Sequence, residues 1–244
     1  MQSSINHKKQ ITMLTNVEQP TISGATPISE RINKILKKGN SYTYCDNKIK
    51  DLARTLIVNK VEQKFPLEDF KTIKTATLGG ETLPFEKLLI GKGYSLNGVS
   101  YEKHKDSFPI AELNKPNGIT IIKNTILKHT YNNEQVIWFD FMDSLRPNNV
   151  NDLLVWLGGN QLKNDCVFAV TYTLQSRVPN YGHRQLFGND ETRIDNFINE
   201  MANYICLYLE NETVKVEPNF NVARYRNKNT SKDMIQYIFE VTKK

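Results

Sequence analysis

Thr77-Leu78-Gly79-Gly80-Glu81, followed by a short helical pattern and then an apolar run ending on Tyr101-Glu102, decides how this chain is read. A strand, a glycine turn, a helix and a second strand closing on an acid form the opening of a nucleotide-binding βαβ unit. The glycines let backbone approach a ligand. The acid at the second strand tip can accept hydrogen bonds from a ribose diol. The competing reading is plain: two glycines that only shape a turn, and a Glu102 that only solvates a strand end.

The flanking sequence extends this pattern in both directions. Thr72 to Leu78 and Tyr94 to Tyr101 read as strands around a helix from Leu83 to Ile90. Ile119 to Ile122 is a third strand. Val136 to Phe141 is nearly continuous in apolar residues, as a central parallel strand buried on both faces requires. A helix capped by Asn148 or Asn149 carries Val150, Leu153, Leu154, Trp156 and Leu157. Cys166 to Thr173 is a fifth strand, and a polar loop follows from about 175 to 189. Ile194, Phe197, Ile198, Met201, Ile205 and Leu209 mark a long amphipathic helix. Val214 to Arg226 and Met234 to Val241 read as a closing hairpin around the turn residues Asn227 to Ser231. Core packing accounts for its aromatics Phe220, Tyr225, Tyr237 and Phe239. The predicted fold is α/β: a Rossmann-like, seven-stranded, mostly parallel sheet with helices on both faces and a C-terminal antiparallel hairpin.

Upstream, residues 1–25 are polar and read as a flexible arm; 26–244 read as a single domain whose N-terminal helices occupy 26–66. Thr26-Pro27 opens the first of these helices, and Gly39 closes it. The second starts near Asp46 or Asn47, with an apolar stripe of Ile49, Leu52, Leu56 and Val61.

Composition narrows the function classes. The chain has 244 residues, and 32 basic against 26 acidic side chains give +6. That excess suits a polyanionic partner such as nucleic acid, or serves solubility alone. The basic residues form only pairs, such as Lys8-Lys9 and Lys37-Lys38. No run reaches the roughly 18 apolar residues of a membrane span, and the N-terminus has no secretory pattern. Cys45, Cys166 and Cys206 form no Cys-x-x-Cys pair, and His7, His104, His129 and His183 show no metal-ligand spacing. The expectation is a cytoplasmic protein with no metal and no membrane partner.

Two further features carry chemistry. Asp140 interrupts an apolar strand, where an unpaired carboxylate costs several kcal/mol. A strand-tip position facing a site removes that cost, and so does a neighbouring helix N-terminus. Tyr172 stands near the end of the fifth strand, with Arg177, Tyr181, His183 and Arg184 beyond it. Ligands of open α/β sheets bind at the carboxyl ends of strands. Arg and Tyr there can contact phosphate and stack a base, unless the segment is an ordinary basic surface loop.

Over roughly residues 47–242 the chain resembles class I, Rossmann-like S-adenosylmethionine-dependent methyltransferases. The resemblance rests on element order, on Leu78-Gly79-Gly80-Glu81, on Glu102, on Asp140 and on the closing hairpin. More narrowly it is similar to divergent methyltransferase-like proteins of viruses and mobile elements, which would place it in the host cytoplasm. The resemblance implies S-adenosylmethionine as cofactor. Leu78, Gly79, Gly80 and Glu81 would face its methionine portion and ribose, Glu102 the ribose hydroxyls, and Asn124 the adenine amine. Asp140 and Asp143 would line the mouth where the methyl acceptor enters and act as the catalytic pair. Tyr172, Arg177, His183 and Arg184 would bind the acceptor, a nucleic acid or nucleotide. Three departures stand out. Thr75-Ala76-Thr77 carries no acid where the family usually has one, the two glycines are adjacent, and Asp140-Phe141-Met142-Asp143 is not the Asp/Asn-Pro-Pro-Tyr/Phe tetrapeptide of amino-directed enzymes.

Two rivals remain at this level. One is a catalytically inactive relative that binds nucleic acid or a partner protein. The other is a nicotinamide-dependent oxidoreductase, against which the closing hairpin and the missing Gly-x-Gly-x-x-Gly argue.

Overall fold

A computed structural model describes residues 45–105, 107–144, 147–173, 191–217, 221–227 and 232–244. The expected arm at 1–25 and the helix opened by Thr26-Pro27 lie outside these residues, as does the polar loop after Thr173.

Eight strands form one sheet: β1 (Thr72–Thr77), β2 (Ser95–Tyr101), β3 (Ile119–Ile122), β4 (Val136–Ser144), β5 (Cys166–Thr173), β6 (Val214–Val216), β7 (Asn221–Asn227) and β8 (Lys232–Lys243). Their order is β3-β2-β1-β4-β5-β8-β6, with β7 also on β8. Strands β1 to β5 pair in parallel. β8 inserts antiparallel beside β5, with Cys166 opposite Val241 and Thr173 opposite Met234. This is the Rossmann-like sheet with an antiparallel closing hairpin that the run pattern predicts. One detail differs. The stretch read as a single strand from Val214 to Arg226 is two strands, β6 and β7, laid end to end along β8.

Helices cover both faces: α1 (Cys45–Lys64), α2 (Pro84–Gly91), α3 (Ser107–Asn114), α4 (Pro147–Gly159) and α5 (Glu191–Leu209). The sequence pattern missed α3, whose apolar residues make no clear stripe; only Ala111 of it is buried. α1 is rotated from its predicted setting. Its buried stripe is Ala53, Ile57, Val58 and Val61, while Leu52 and Leu56 are half-buried. An apolar arc about 100° wide accommodates both settings, and the contacts of Phe65 and Met234 select one.

The two faces differ in character. On one, α4 and α5 cover an apolar core of Phe139, Phe168, Val170, Tyr237 and Phe239. On the other, α1 and α2 cover Ile73, Val136, Val167 and Ile238 at one end of the strands. Toward the carboxyl ends of the parallel strands that second face turns polar, with Thr75, Thr77, Ser100, Thr171 and Gln236 all buried. The C-terminal half of α1 is tied to the far end of β8, Lys60 Nζ to Glu240 Oε1 at 2.5 Å and Lys64 Nζ to Thr242 Oγ1 at 2.8 Å. That leaves Lys50 and Arg54 over the polar end.

Candidate functional site

The chain order reverses between β1 and β4: β2 and β3 lie to one side of β1, and β4 and β5 to the other. The crevice of an open α/β sheet forms at such a switch point. The glycine turn leaves β1 at this place. Leu78 still pairs with β4, its N–H donating to Trp138 O at 3.2 Å.

The two glycines serve different purposes. A Cβ on Gly79 would stand 2.5 Å from Ser100 Oγ and 2.8 Å from Glu86 Oε1, so nothing larger fits. Gly79 N–H donates to Ser100 Oγ at 2.9 Å. Gly80 has φ +62° with open space where a Cβ would point, so backbone conformation selects glycine and the outer side is free for a ligand. Farther along, Leu83 also sits in the left-handed region, at φ 47° and ψ 53°, just before Pro84 opens α2. A non-glycine residue there costs about 1–2 kcal/mol; complete burial of Leu83 holds it in place. Such strain concentrates at ligand sites.

Glu102 follows β2, its N–H bonded to Ile122 O at 3.0 Å. Its Oε1 accepts from His104 N–H at 2.8 Å, which orients the carboxylate and leaves Oε2 for a hydroxyl. Asn124 is exposed beside the tip of β3, with Oδ1 accepting from Thr125 N–H at 2.8 Å. Gly80, Glu102 and Asn124 thus mark the tips of three adjacent strands. At roughly 5 Å per strand spacing they cover about 10 Å, a span that suits a nucleoside. Glu81 is placed differently. It is exposed, its Oε1 accepts from Ser107 Oγ at 2.8 Å and its carbonyl accepts from Asn114 Nδ2 at 3.2 Å, so it braces α3.

Asp140 lies two residues beyond Trp138 on the α1 face and is half-buried. The Trp138 indole N–H donates to Thr171 Oγ1 at 3.2 Å. Desolvation by the surrounding protein pushes the Asp140 carboxyl above its ordinary range, against the opposing pull of Lys50, Arg54 and Thr171. The acid thus lies in the field of two α1 cations, Lys50 and Arg54.

Five of the seven buried side-chain atoms without a hydrogen-bond partner among the described residues belong to this face: Arg54 Nε, Thr75 Oγ1, Glu86 Oε2 and both amide atoms of Gln236. Each such atom costs about 1–3 kcal/mol. That cost concentrates beneath α1 and α2 rather than on the opposite face.

Tyr172 is corrected by the structure. It is fully buried on the opposite face, its ring 5.3 Å from Phe141 and its hydroxyl donating to Asn149 O at 3.4 Å. Neighbouring residues of a strand point to opposite faces, and the continuous apolar run of β5 hid which parity faced the site. Arg177, His183 and Arg184 lie outside the described residues, as does the side chain of Asp143. Glu86, Ser100, Thr171 and Arg54 are the residues that sequence reasoning missed. A shallow cleft of about 340 Å³ lined by Phe70, Gln135 and Lys243 lies at the far end of the strands, away from the glycine turn. Among the described residues, no group of three His, Cys, Asp or Glu side chains can hold a metal ion. None of the described helices is long and apolar enough to cross a membrane.

No family model matches the chain. No curated protein matches it by sequence. Solved structures are similar to it at a low level. The N-methyltransferase NodS from Bradyrhizobium japonicum has 10% identity and a TM-score of 0.48, over 81% of this chain and 99% of that one. NodS has also been solved with S-adenosyl-L-homocysteine. A candidate sarcosine dimethylglycine methyltransferase from Galdieria sulphuraria has 11% identity and a TM-score of 0.49, over 88% and 96%. A candidate RNA methyltransferase from Pyrococcus horikoshii has 11% identity and a TM-score of 0.45, over 89% and 99%. Likeness at this level says nothing of what this chain binds. The fold assignment stands on its own strand order.

Proposed function

We propose that the chain is an S-adenosylmethionine-dependent methyltransferase acting on a nucleic acid or nucleotide. One observation carries the reading. Gly80 opens outward at the switch point of a β3-β2-β1-β4-β5-β8-β6 sheet, with Glu102 at the next strand tip. The residues present suit such a cofactor: open backbone at Gly80, a carboxylate oxygen of Glu102 for a diol, and Asn124 beyond it for a heterocyclic amine. When bound, it supplies a methyl group on a sulfonium. The protein's part is alignment of the acceptor and, where needed, removal of a proton. In this reading the Asp140 carboxylate, made more basic by desolvation, accepts that proton and becomes the neutral acid. Asp143, Arg177, His183 and Arg184 extend the acceptor side in this reading, and the net charge of +6 favours a polyanionic acceptor. The narrower likeness to proteins of viruses and mobile elements belongs to the same proposal.

Calorimetric titration with S-adenosylhomocysteine tests it. Binding with thermal stabilisation is expected, and Glu102→Ala weakens it without unfolding the protein. No heat and no stabilisation at millimolar ligand overturn the reading. The non-catalytic alternative draws on one observation: Gly79 N–H and the Glu81 carboxylate are both engaged inside the protein. It expects salt-dependent nucleic-acid binding that Glu102→Ala and Asp140→Ala leave unchanged.

A further inference from the structure

Beneath the glycine turn lies a carboxyl group that no sequence motif uses. Glu86, in the first turn of α2, is completely buried. The Thr77 hydroxyl donates to its Oε1. Ser100 Oγ lies 3.3 Å from Thr77 Oγ1. Ser100 Oγ in turn accepts the Gly79 N–H at 2.9 Å.

Proton accounting fixes the direction of this chain. A hydroxyl has one proton to give. Thr77 gives its proton to Glu86. Ser100 receives from the Gly79 amide, so its own proton is free for Thr77 Oγ1. The carboxyl is the last acceptor of a chain that crosses two neighbouring strands and starts on a backbone amide of the turn. The second oxygen, Oε2, has no partner among the described residues. Burial raises the carboxyl above its ordinary range, opposed by Thr77, by the Arg54 charge from α1 and by Ser100. An apolar side chain of similar volume would fill this space without those costs. An acid in this place is therefore accounted for by what it holds.

We propose that Glu86 is the positioning residue of the cofactor turn: through Thr77 and Ser100 it fixes the Gly79 amide, and thereby the direction in which Gly80 faces the ligand. The inference rests on reading this edge as the adenosine-cofactor site. Gly79 belongs to the foundation of the turn, because its amide is held inward and its Cα hydrogen abuts Ser100 and Glu86. Gly80 is the surface that meets the ligand.

The test uses the full chain and the variants Glu86→Gln, Ser100→Ala and their combination. Three quantities are read: hydrogen exchange at the Gly79 amide, the Kd for S-adenosylhomocysteine, and the thermal midpoint. Glu86→Gln is expected to melt at or above wild type, since it removes a buried titrating group. It should nonetheless exchange the Gly79 amide about tenfold faster and bind the ligand about tenfold more weakly, as loss of a charge-assisted link implies. Ser100→Ala should match both losses, and the double variant should be no worse than either single one, because the residues act in series. A merely structural acid would move the midpoint and leave the affinity in place. Unchanged Gly79 exchange in Glu86→Gln overturns the inference, and so do losses that multiply in the double variant. Should Glu86→Gln fail to fold, unchanged Gly79 exchange in Ser100→Ala overturns it equally. If the wild type binds no ligand, the methyltransferase reading falls, while the exchange data still decide the role of Glu86.

Discussion

The two faces of this sheet are built from the same strands and do opposite things. Along β4, β5 and β8, one parity presents Ile137, Phe139, Phe168, Val170, Tyr172, Tyr237 and Phe239 to α4 and α5. Its aromatic rings interlock, with Phe139 edge-on to Phe168 at 5.6 Å and to Trp156 at 4.9 Å. The other parity begins apolar and becomes polar, ending in Thr77, Ser100, Asp140, Thr171 and Gln236 beneath α1 and α2. The first face stabilises. The second gives up stability at its carboxyl end to hold charged and hydroxyl groups near the switch point. A continuous parallel strand can carry both functions because alternate residues never meet.

Breaking the stabilising face should produce the largest effect. Phe139→Ala is expected to cost about 4 kcal/mol in urea denaturation, with folding lost before any ligand effect can be seen. A cost below about 1 kcal/mol would mean that this face is not the core. Next comes the foundation of the turn. Gly79→Ala forces Ser100 and Glu86 apart and should cost about 2 kcal/mol, in the range for overpacking. Gly80→Ala meets open space and carries only its positive φ, about 1 kcal/mol. Equal costs for the two glycines would erase the distinction between foundation and surface.

The pH profile sharpens the comparison further. The Glu86 and Asp140 carboxyls are both raised by burial, so the folded state holds their protons longer than the unfolded chain does. Their contribution is fully present below the unfolded values near 4 and is lost as pH rises through the folded ones. Glu86→Gln should therefore flatten the fall in stability across this window, measured by denaturation at several pH values. An unchanged slope would remove Glu86 from the titration. Glu134, below the other face, runs the other way: the paired His129 and the Asn132 amide overcome desolvation and lower its carboxyl. Its contribution is present above the ordinary carboxylate range and is lost on acidification. The smallest effect is expected at the surface. Lys92, paired with Glu62 at 2.9 Å and well exposed, should change stability by less than about 0.5 kcal/mol when replaced by Ala.

Much of the architecture was legible in the residues. The apolar runs at Val136–Phe141 and Cys166–Thr173 mark central strands, and turn chemistry near Asn227 marks the hairpin whose last strand enters antiparallel. Gly79-Gly80 and Glu102 fall at adjacent strand tips, as the spacing of the two runs implies. The site was legible only in outline. Glu86 reads in sequence as one more polar helical position, and nothing local says that it points under the turn. Tyr172 reads as a strand-end residue beside a basic segment, yet its parity sends it into the core.

By itself, then, the sequence determined the order of the five parallel strands and the closing hairpin, because periodicity and glycine placement are local properties of the chain. It also determined that an acid interrupts β4. Only the tertiary structure decided which face each buried residue takes, how α1 is rotated, and that the Thr77 hydroxyl meets Glu86. A fully buried strand has no polar alternation to reveal its parity, and a buried acid is matched by partners that arrive from distant elements.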